Sequence, residues 1–62
     1  MTIREVQRTI EGDGWIMVTQ KGSYRQFKHP IKPGWVTIAG HPKEDLASGT
    51  LYSILRQAEL KD

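Results

Sequence analysis

The chain of 62 residues is predicted to form one α+β domain, residues 1–62, with the element order α-β-β-β-α. Two stretches with helical apolar spacing lie near the ends of the chain. Three short strand-like stretches lie between them, separated by glycine and proline turn signals. A chain of this length forms a single domain. The predicted architecture is a three-stranded antiparallel sheet with two helices on one face.

The first helix is predicted at residues 2–12. Thr2 followed by Glu5 is the capping-box pattern that begins many helices. The apolar residues of this stretch fall on one helical stripe, formed by Ile3, Val6 and Ile10. Gly12 or Gly14 is expected to supply the left-handed residue that ends the helix.

Three strands are predicted, at residues 15–19, 24–29 and 35–39. Each is short and rich in β-branched or aromatic residues. Gly22 is free to take the positive φ that a tight turn needs between the first two strands. Pro30 ends the second strand because it has no N–H to donate to a ladder. Short connections of this kind predict an antiparallel meander.

The second helix is predicted at residues 49–59, with Ser48 or Thr50 as its N-terminal cap. Its apolar stripe consists of Leu51, Ile54, Leu55 and Ala58. Two amphipathic helices must both bury a stripe, and one face of the sheet is the surface available to them.

The alternation of side chains along a strand predicts which residues share a face. Phe27 is expected to face the helices, with Arg25 and His29 on the same side of the second strand. Trp15 directly follows the first helix and is expected in the core. The opposite face is predicted to be polar, basic and aromatic, carrying Tyr24, Gln26, Lys28, Trp35 and Thr37.

The basic residues are concentrated in the middle of the chain. The net charge is +2, but the stretch from residue 14 to 43 contains five basic residues and no acidic one. These five residues are Lys21, Arg25, Lys28, Lys32 and Lys43. The pattern is typical of a face that binds a polyanion, although a solvated lysine-rich sheet face explains it equally well.

Several classes of site are not expected from the composition. The absence of cysteine excludes a disulfide framework, a thiolate zinc site and a cysteine nucleophile. The sequence contains no glycine-rich nucleotide loop, and its histidines and carboxylates lack a metal-ligand spacing, so neither a metal nor a small-molecule cofactor is expected. No apolar run is long enough to span a bilayer and no signal peptide is recognisable, so we expect a cytoplasmic protein without a membrane partner.

His29 ends the predicted second strand and offers an imidazole that can transfer a proton near neutral pH. The favoured alternative is a strand-end histidine that hydrogen-bonds a turn carbonyl. Trp35 is expected to stack on a nucleobase or to cover the surface of a partner.

Residues 22–30 form a more specific motif than the patterns described above, with the sequence GSYRQFKHP. Further motifs follow and precede it in a fixed order, namely 13–15 (DGW), 32–34 (KPG), 36–38 (VTI), 40–42 (GHP), 45–46 (DL) and 49–58 (GTLYSILRQA). Taken together, they make the chain similar to the HicA family, the toxins of bacterial type II toxin–antitoxin pairs. The resemblance covers nearly the whole chain.

The resemblance implies a fold like that of double-stranded-RNA-binding domains and a metal-independent ribonuclease that cleaves mRNA. It also implies a HicB-like antitoxin that covers the active-site face. Tyr24 stands where the family has its catalytic histidine, and His29 matches the family motif, so these two are the candidate catalytic residues. The candidate RNA-binding residues are Lys21, Ser23, Arg25, Gln26, Lys28 and Trp35.

Because tyrosine is a weak general base at neutral pH, the functional alternatives stay open. The first is a ribonuclease toxin that blocks translation by cleaving mRNA. The second is a catalytically weak or inactive module that binds RNA or a HicB-like antitoxin. The third is an interaction module that binds neither.

Overall fold

The computed structural model describes residues 1–61. It contains two helices and three strands in the predicted α-β-β-β-α order, which confirms the α+β class. The elements are α1 (Ile3–Gly12), β1 (Ile16–Lys21), β2 (Tyr24–Lys28), β3 (Val36–Ala39) and α2 (Ser48–Gln57). Both helices have ten residues, and none in the described chain is long and apolar enough to cross a membrane.

Helix α1 begins with the predicted capping box. Thr2 Oγ1 accepts a hydrogen bond from the Glu5 N–H at 3.2 Å, and the Thr2 N–H donates to Glu5 Oε1 at 2.8 Å. This hydrogen bond from the Thr2 backbone lowers the pKa of Glu5. Gly14, with φ of 109°, is the left-handed residue after the helix, and Gly12 is not.

The three strands form an antiparallel sheet in the order β1-β2-β3, with β2 in the centre. A two-residue turn at Gly22 and Ser23 connects β1 to β2, and Gly22 has the expected positive φ of 56°. Strand β1 extends to Lys21, which pairs with Tyr24. It is therefore two residues longer at this end than the sequence predicts.

The core lies between the helices and the inner side of β2 and β3. Its buried side chains are Ile3, Val6, Ile10, Trp15, Phe27, Val36, Ile38, Ile54 and Ala58. Strand β1 contributes none of them, since all six of its residues are exposed. Trp15 lies in the core as expected, and its indole N–H donates to the Ala58 carbonyl at 3.2 Å.

The predicted cap of α2 is wrong. The N-terminal cap is Ala47, and no side chain there accepts a capping hydrogen bond. The helix begins at Ser48, one residue earlier than expected. Its first hydrogen bond runs from the Leu51 N–H to the Ala47 carbonyl at 2.9 Å. The predicted stripe is correct: Ile54 and Ala58 are buried, while Leu51 and Leu55 pack partly buried against them.

Candidate functional site

The sheet face that carries no helix is called the open face below. Strand pairing and alternation place three cross-strand rows of side chains on it. The rows are Ile16–Lys28–Trp35, Thr19–Gln26–Thr37 and Lys21–Tyr24–Ala39. The rows contain two lysines and no carboxylate, so the open face attracts anions.

An irregularity in β1 brings Lys21 to this face. The pairing register with β2 shifts between Met17 and Thr19, so that Val18 is an additional residue in β1. In an uninterrupted strand, alternation from Met17 would turn Lys21 toward the helices. The bulge reverses this alternation and places Lys21 opposite Tyr24.

Tyr24 occupies the end of the open face next to the turn. Its side chain is 46% exposed, and none of residues 1–61 hydrogen-bonds its phenol. A phenol donates one hydrogen bond and accepts others. The group is therefore free to contact a ligand that lies on the open face beside Lys21.

Lys28 and Trp35 form the opposite end of the open face. The Lys28 ammonium lies 4.7 Å from the centroid of the Trp35 ring, within the range of a cation–π interaction. Trp35 remains 49% exposed. An exposed indole beside a cation can stack on a nucleobase while the cation contacts a phosphate. Gln26 lies half-buried between the two ends.

His29 lies on the helix side of the sheet, as alternation predicts. Its Nε2 is 2.7 Å from the Asp13 carbonyl oxygen, and its Nδ1 accepts the N–H groups of Ile31 and Lys32, both at 3.0 Å. These partners assign the neutral tautomer with the proton on Nε2. The ring packs edge-on against Trp15 at a centroid distance of 5.3 Å.

The structure therefore does not bring His29 to Tyr24. Both ring nitrogens of His29 are engaged in backbone hydrogen bonds, and its side chain is only 8% exposed. This arrangement corresponds to the strand-end histidine that hydrogen-bonds a turn carbonyl. Gly14 fits against the same ring, since a Cβ there would lie 2.7 Å from His29 Nε2.

Arg25 also lies on the helix side. Only 6% of the residue is exposed, and its Nη1 donates to the carbonyls of Ser23 at 3.3 Å and Gly40 at 3.2 Å. Ser23 itself is exposed in the turn beside the open face. The predicted site residues that share the open face are thus Lys21, Tyr24, Gln26, Lys28 and Trp35.

Lys32, another of the central basic residues, has a structural role. Its ammonium hydrogen-bonds the Asp13 carboxylate and donates to the carbonyls of Ala58 at 3.2 Å and Glu59 at 3.3 Å. The hydrogen bond from Lys32 holds the pKa of Asp13 below its ordinary value of 3.8. Lys32 thereby connects the C-terminal ends of α1 and α2.

Two arginines that the sequence did not single out also belong to a basic cluster. Arg4 and Arg8 of α1 line a pocket together with Arg25. Their spacing of four residues places them on one side of α1, and this spacing is the feature of the sequence that could have indicated the cluster. Within residues 1–61, no three His, Asp or Glu side chains lie close enough together to hold a metal ion.

A comparison with known proteins identifies a protein family that matches this chain. A family model described as HicA toxin of bacterial toxin-antitoxin matches residues 3–60. No curated protein is significantly similar to the chain in sequence. The matched span contains both helices, all three strands and every residue of the open face.

Proposed function

Because the chain belongs to the HicA family of toxins from bacterial toxin–antitoxin systems, we propose that it is a ribonuclease toxin whose open face binds and cleaves mRNA. A HicB-like antitoxin neutralises it by covering the same face. One observation carries this proposal. The open face combines the unoccupied phenol of Tyr24 with Lys21 at one end, and the Lys28–Trp35 pair at the other.

The chemistry of these side chains suits single-stranded RNA. Lys21 and Lys28 supply positive charge for two phosphates, and Trp35 supplies a ring on which a base can stack. All three contacts are independent of the base sequence. The proposed binding is therefore sensitive to salt, because each lysine–phosphate contact releases counterions.

Cleavage by the neighbouring 2′-hydroxyl needs two proton transfers. The 2′-oxygen forms a bond to phosphorus and loses its proton to solvent water, while the bond from phosphorus to the 5′-oxygen breaks and that oxygen gains a proton. In this proposal, Tyr24 donates a proton or hydrogen bond to the leaving oxygen, and Lys21, its cross-strand partner, balances the charge on the phosphate. A strong general base is missing from these contacts.

The lack of a base has a predictable cost. One general acid–base contribution changes a rate by about 10²–10⁴. We therefore expect slow cleavage compared with a relative that has histidine at the position of Tyr24.

A different observation favours a second function. Tyr24 replaces the histidine that the family resemblance implies, and the ring of His29 is fully engaged in backbone hydrogen bonds. A chain with this arrangement binds RNA or the antitoxin through the open face without turning over RNA.

The deciding experiment is induction of the chain alone in a bacterial host, with growth and mRNA integrity followed together. We expect growth arrest and loss of mRNA, both relieved by co-expression of a HicB-like antitoxin. Lys28→Ala should weaken both effects because it removes a phosphate contact from the open face. Lys43→Ala, which removes the same charge from an exposed loop, is the matched control and should behave like the parent.

The outcomes separate the two functions. Normal growth with intact mRNA, from a chain shown to be folded and abundant, would reject the ribonuclease and favour the binding module. Equal effects of Lys28→Ala and Lys43→Ala on growth and mRNA would contradict the proposal that RNA binds to the open face.

A further inference from the structure

A polar pocket of about 260 Å³ lies on the helix side of the sheet, between α1 and the start of β2. It lies on the opposite side of the sheet from Tyr24. Its lining residues are Arg4, Gln7, Arg8, Glu11, Arg25 and Pro42. Three of the six side chains are guanidinium groups, and one is a carboxylate.

Within the part of the chain that the structure describes, none of the three arginines has a carboxylate partner. Among residues 1–61, the ion pairs are formed by the N-terminus and Lys32, and no arginine takes part in one. Even Glu11, which lines the same pocket, is not within ion-pair distance of an arginine. With one carboxylate against three guanidinium groups, the pocket has a net charge of +2.

Arg25 makes this cluster different from an ordinary solvated surface. It is 94% buried, since only 6% of the residue is exposed, and its guanidinium donates hydrogen bonds to two neutral backbone carbonyls. Carbonyl groups orient a guanidinium but do not neutralise it, and a buried charge without a counter-ion is unfavourable. Its guanidinium is therefore held in place at the pocket with its charge unbalanced.

The positions of Arg4 and Arg8 are also unfavourable for α1 by itself. Like charges four residues apart repel on a helix surface. Arg4 additionally lies in the first turn, where the helix dipole favours acidic residues. Within residues 1–61, neither guanidinium group forms a hydrogen bond or an ion pair that would offset this repulsion. An anion bound in the pocket would offset it, because both arginines line that pocket.

We propose that this pocket binds a phosphate group. Guanidinium groups present paired N–H donors that match phosphate oxygens, and a net charge of +2 matches a phosphate dianion. Free phosphate, a 5′-terminal phosphate and a phosphodiester of RNA share this chemistry. The inference does not rest on the proposed function, because the pocket and the open face lie on opposite sides of the sheet.

The test is a titration followed by NMR of the arginine Nε–H groups and the α1 amides. The probes are inorganic phosphate and one RNA oligonucleotide prepared with either a 5′-hydroxyl or a 5′-phosphate. We expect saturable shifts at Arg25 and α1. Arg8→Gln should weaken the binding of inorganic phosphate about tenfold, because it removes a charge-assisted contact.

Two further variants control for total charge. Arg56→Gln removes the same charge from α2, where the guanidinium lies over the Tyr52 ring 5.9 Å away, and should leave phosphate binding unchanged. Glu11→Gln removes the only carboxylate of the pocket and should strengthen binding. The inference would be overturned by equal effects of Arg8→Gln and Arg56→Gln, or by the absence of saturable shifts with every probe.

The RNA probes identify the source of the phosphate. Tighter binding of the 5′-phosphorylated oligonucleotide, lost in Arg8→Gln, supports a terminal phosphate. Equal affinity for both oligonucleotides supports binding of a phosphodiester. In that case, the slope of log affinity against log salt concentration should be smaller in Arg8→Gln, by the amount expected for the loss of about one phosphate contact. A further outcome combines two results. If phosphate shifts the Arg25 signals and the Lys28→Ala substitution leaves RNA affinity unchanged, the pocket is supported as the phosphate site and the open face is rejected as the RNA site.

Discussion

Tyr24 in β2 and His29, which directly follows this strand, show how differently two neighbouring side chains are used. Tyr24 has an exposed phenol without a hydrogen-bond partner in the described chain, whereas His29 has both ring nitrogens engaged. The first is placed for chemistry but is a weak base. The second has a side chain suitable for proton transfer, but both of its ring nitrogens hydrogen-bond the backbone. In the proposed ribonuclease, catalysis therefore depends on Tyr24.

Replacing Tyr24 by histidine should increase RNA cleavage. The imidazole titrates near neutral pH and can accept the 2′-hydroxyl proton, which we expect to raise the cleavage rate about 100-fold or more. The measurement is the rate of cleavage of a labelled RNA by purified protein. Tyr24→Phe is the control for the phenol and should fall below the parent. A rate for Tyr24→His no higher than that of the parent would contradict the proposed position of the scissile phosphate.

Among the elements, α2 has the weaker ends. Its N-terminal cap has no side-chain hydrogen bond, and at its C-terminal end Glu59 has a φ of 55°. The Leu60 N–H donates to the Leu55 carbonyl at 2.9 Å, which is the closing hydrogen bond of a left-handed C-terminal cap. Glycine is the residue that takes this conformation without a steric penalty.

Glu59→Gly should therefore stabilise the protein. Removing the left-handed strain of a non-glycine residue is worth about 1 kcal/mol of unfolding free energy. In a chain of this length, that corresponds to an increase in Tm of about 4–8 °C. Glu59→Ala keeps the Cβ and hence the strain, so its Tm should stay near that of the parent. The two variants can be compared by thermal unfolding followed by circular dichroism, and equal Tm values would contradict the interpretation.

At the scale of the whole molecule, one side of the sheet packs against the helices and the other side carries no helix. Both helices pack against Phe27, Val36 and Ile38, while the open face has no such cover. A chain this small buries a limited core, so single polar connections between elements matter more than in a larger protein. Lys32, which joins Asp13 to the end of α2, is such a connection.

This connection predicts how stability depends on pH. The pKa of Asp13 is lowered in the folded state, mainly by the hydrogen bond from Lys32, so the unfolded chain takes up the proton first as the pH falls. The stabilisation by Asp13 is thus fully present above its ordinary value of 3.8 and is lost as the pH falls through the lower folded value.

Asp13→Asn should accordingly have a lower Tm than the parent at neutral pH, and the difference should shrink as the pH falls below about 4. Thermal unfolding between pH 7 and pH 2 measures this. Glu11→Gln removes a carboxylate that forms no ion pair in residues 1–61, and it should not reproduce the effect. A difference in Tm between Asp13→Asn and the parent that does not change with pH would contradict the assigned role of Asp13.

Local patterns of the sequence determined the secondary structure and most of the face assignment. The capping box at Thr2, the helical stripes and the period-two alternation each depend on residues within a few positions of one another. The same alternation correctly placed Tyr24, Gln26 and Lys28 on one face and Arg25 and His29 on the other. The predicted cap of α2 was wrong because the helix begins at Ser48, which leaves Ala47, a residue without a capping side chain, at the N-cap position.

Tertiary structure alone decided which distant residues meet. The bulge at Val18 moves Lys21 to the open face, and this depends on the pairing of β1 with β2. The pocket of Arg4, Arg8 and Arg25 exists because α1 packs beside the start of β2. Periodicity reports the direction of a side chain within its own element, whereas the register between strands and the docking of a helix are set by packing of the whole core.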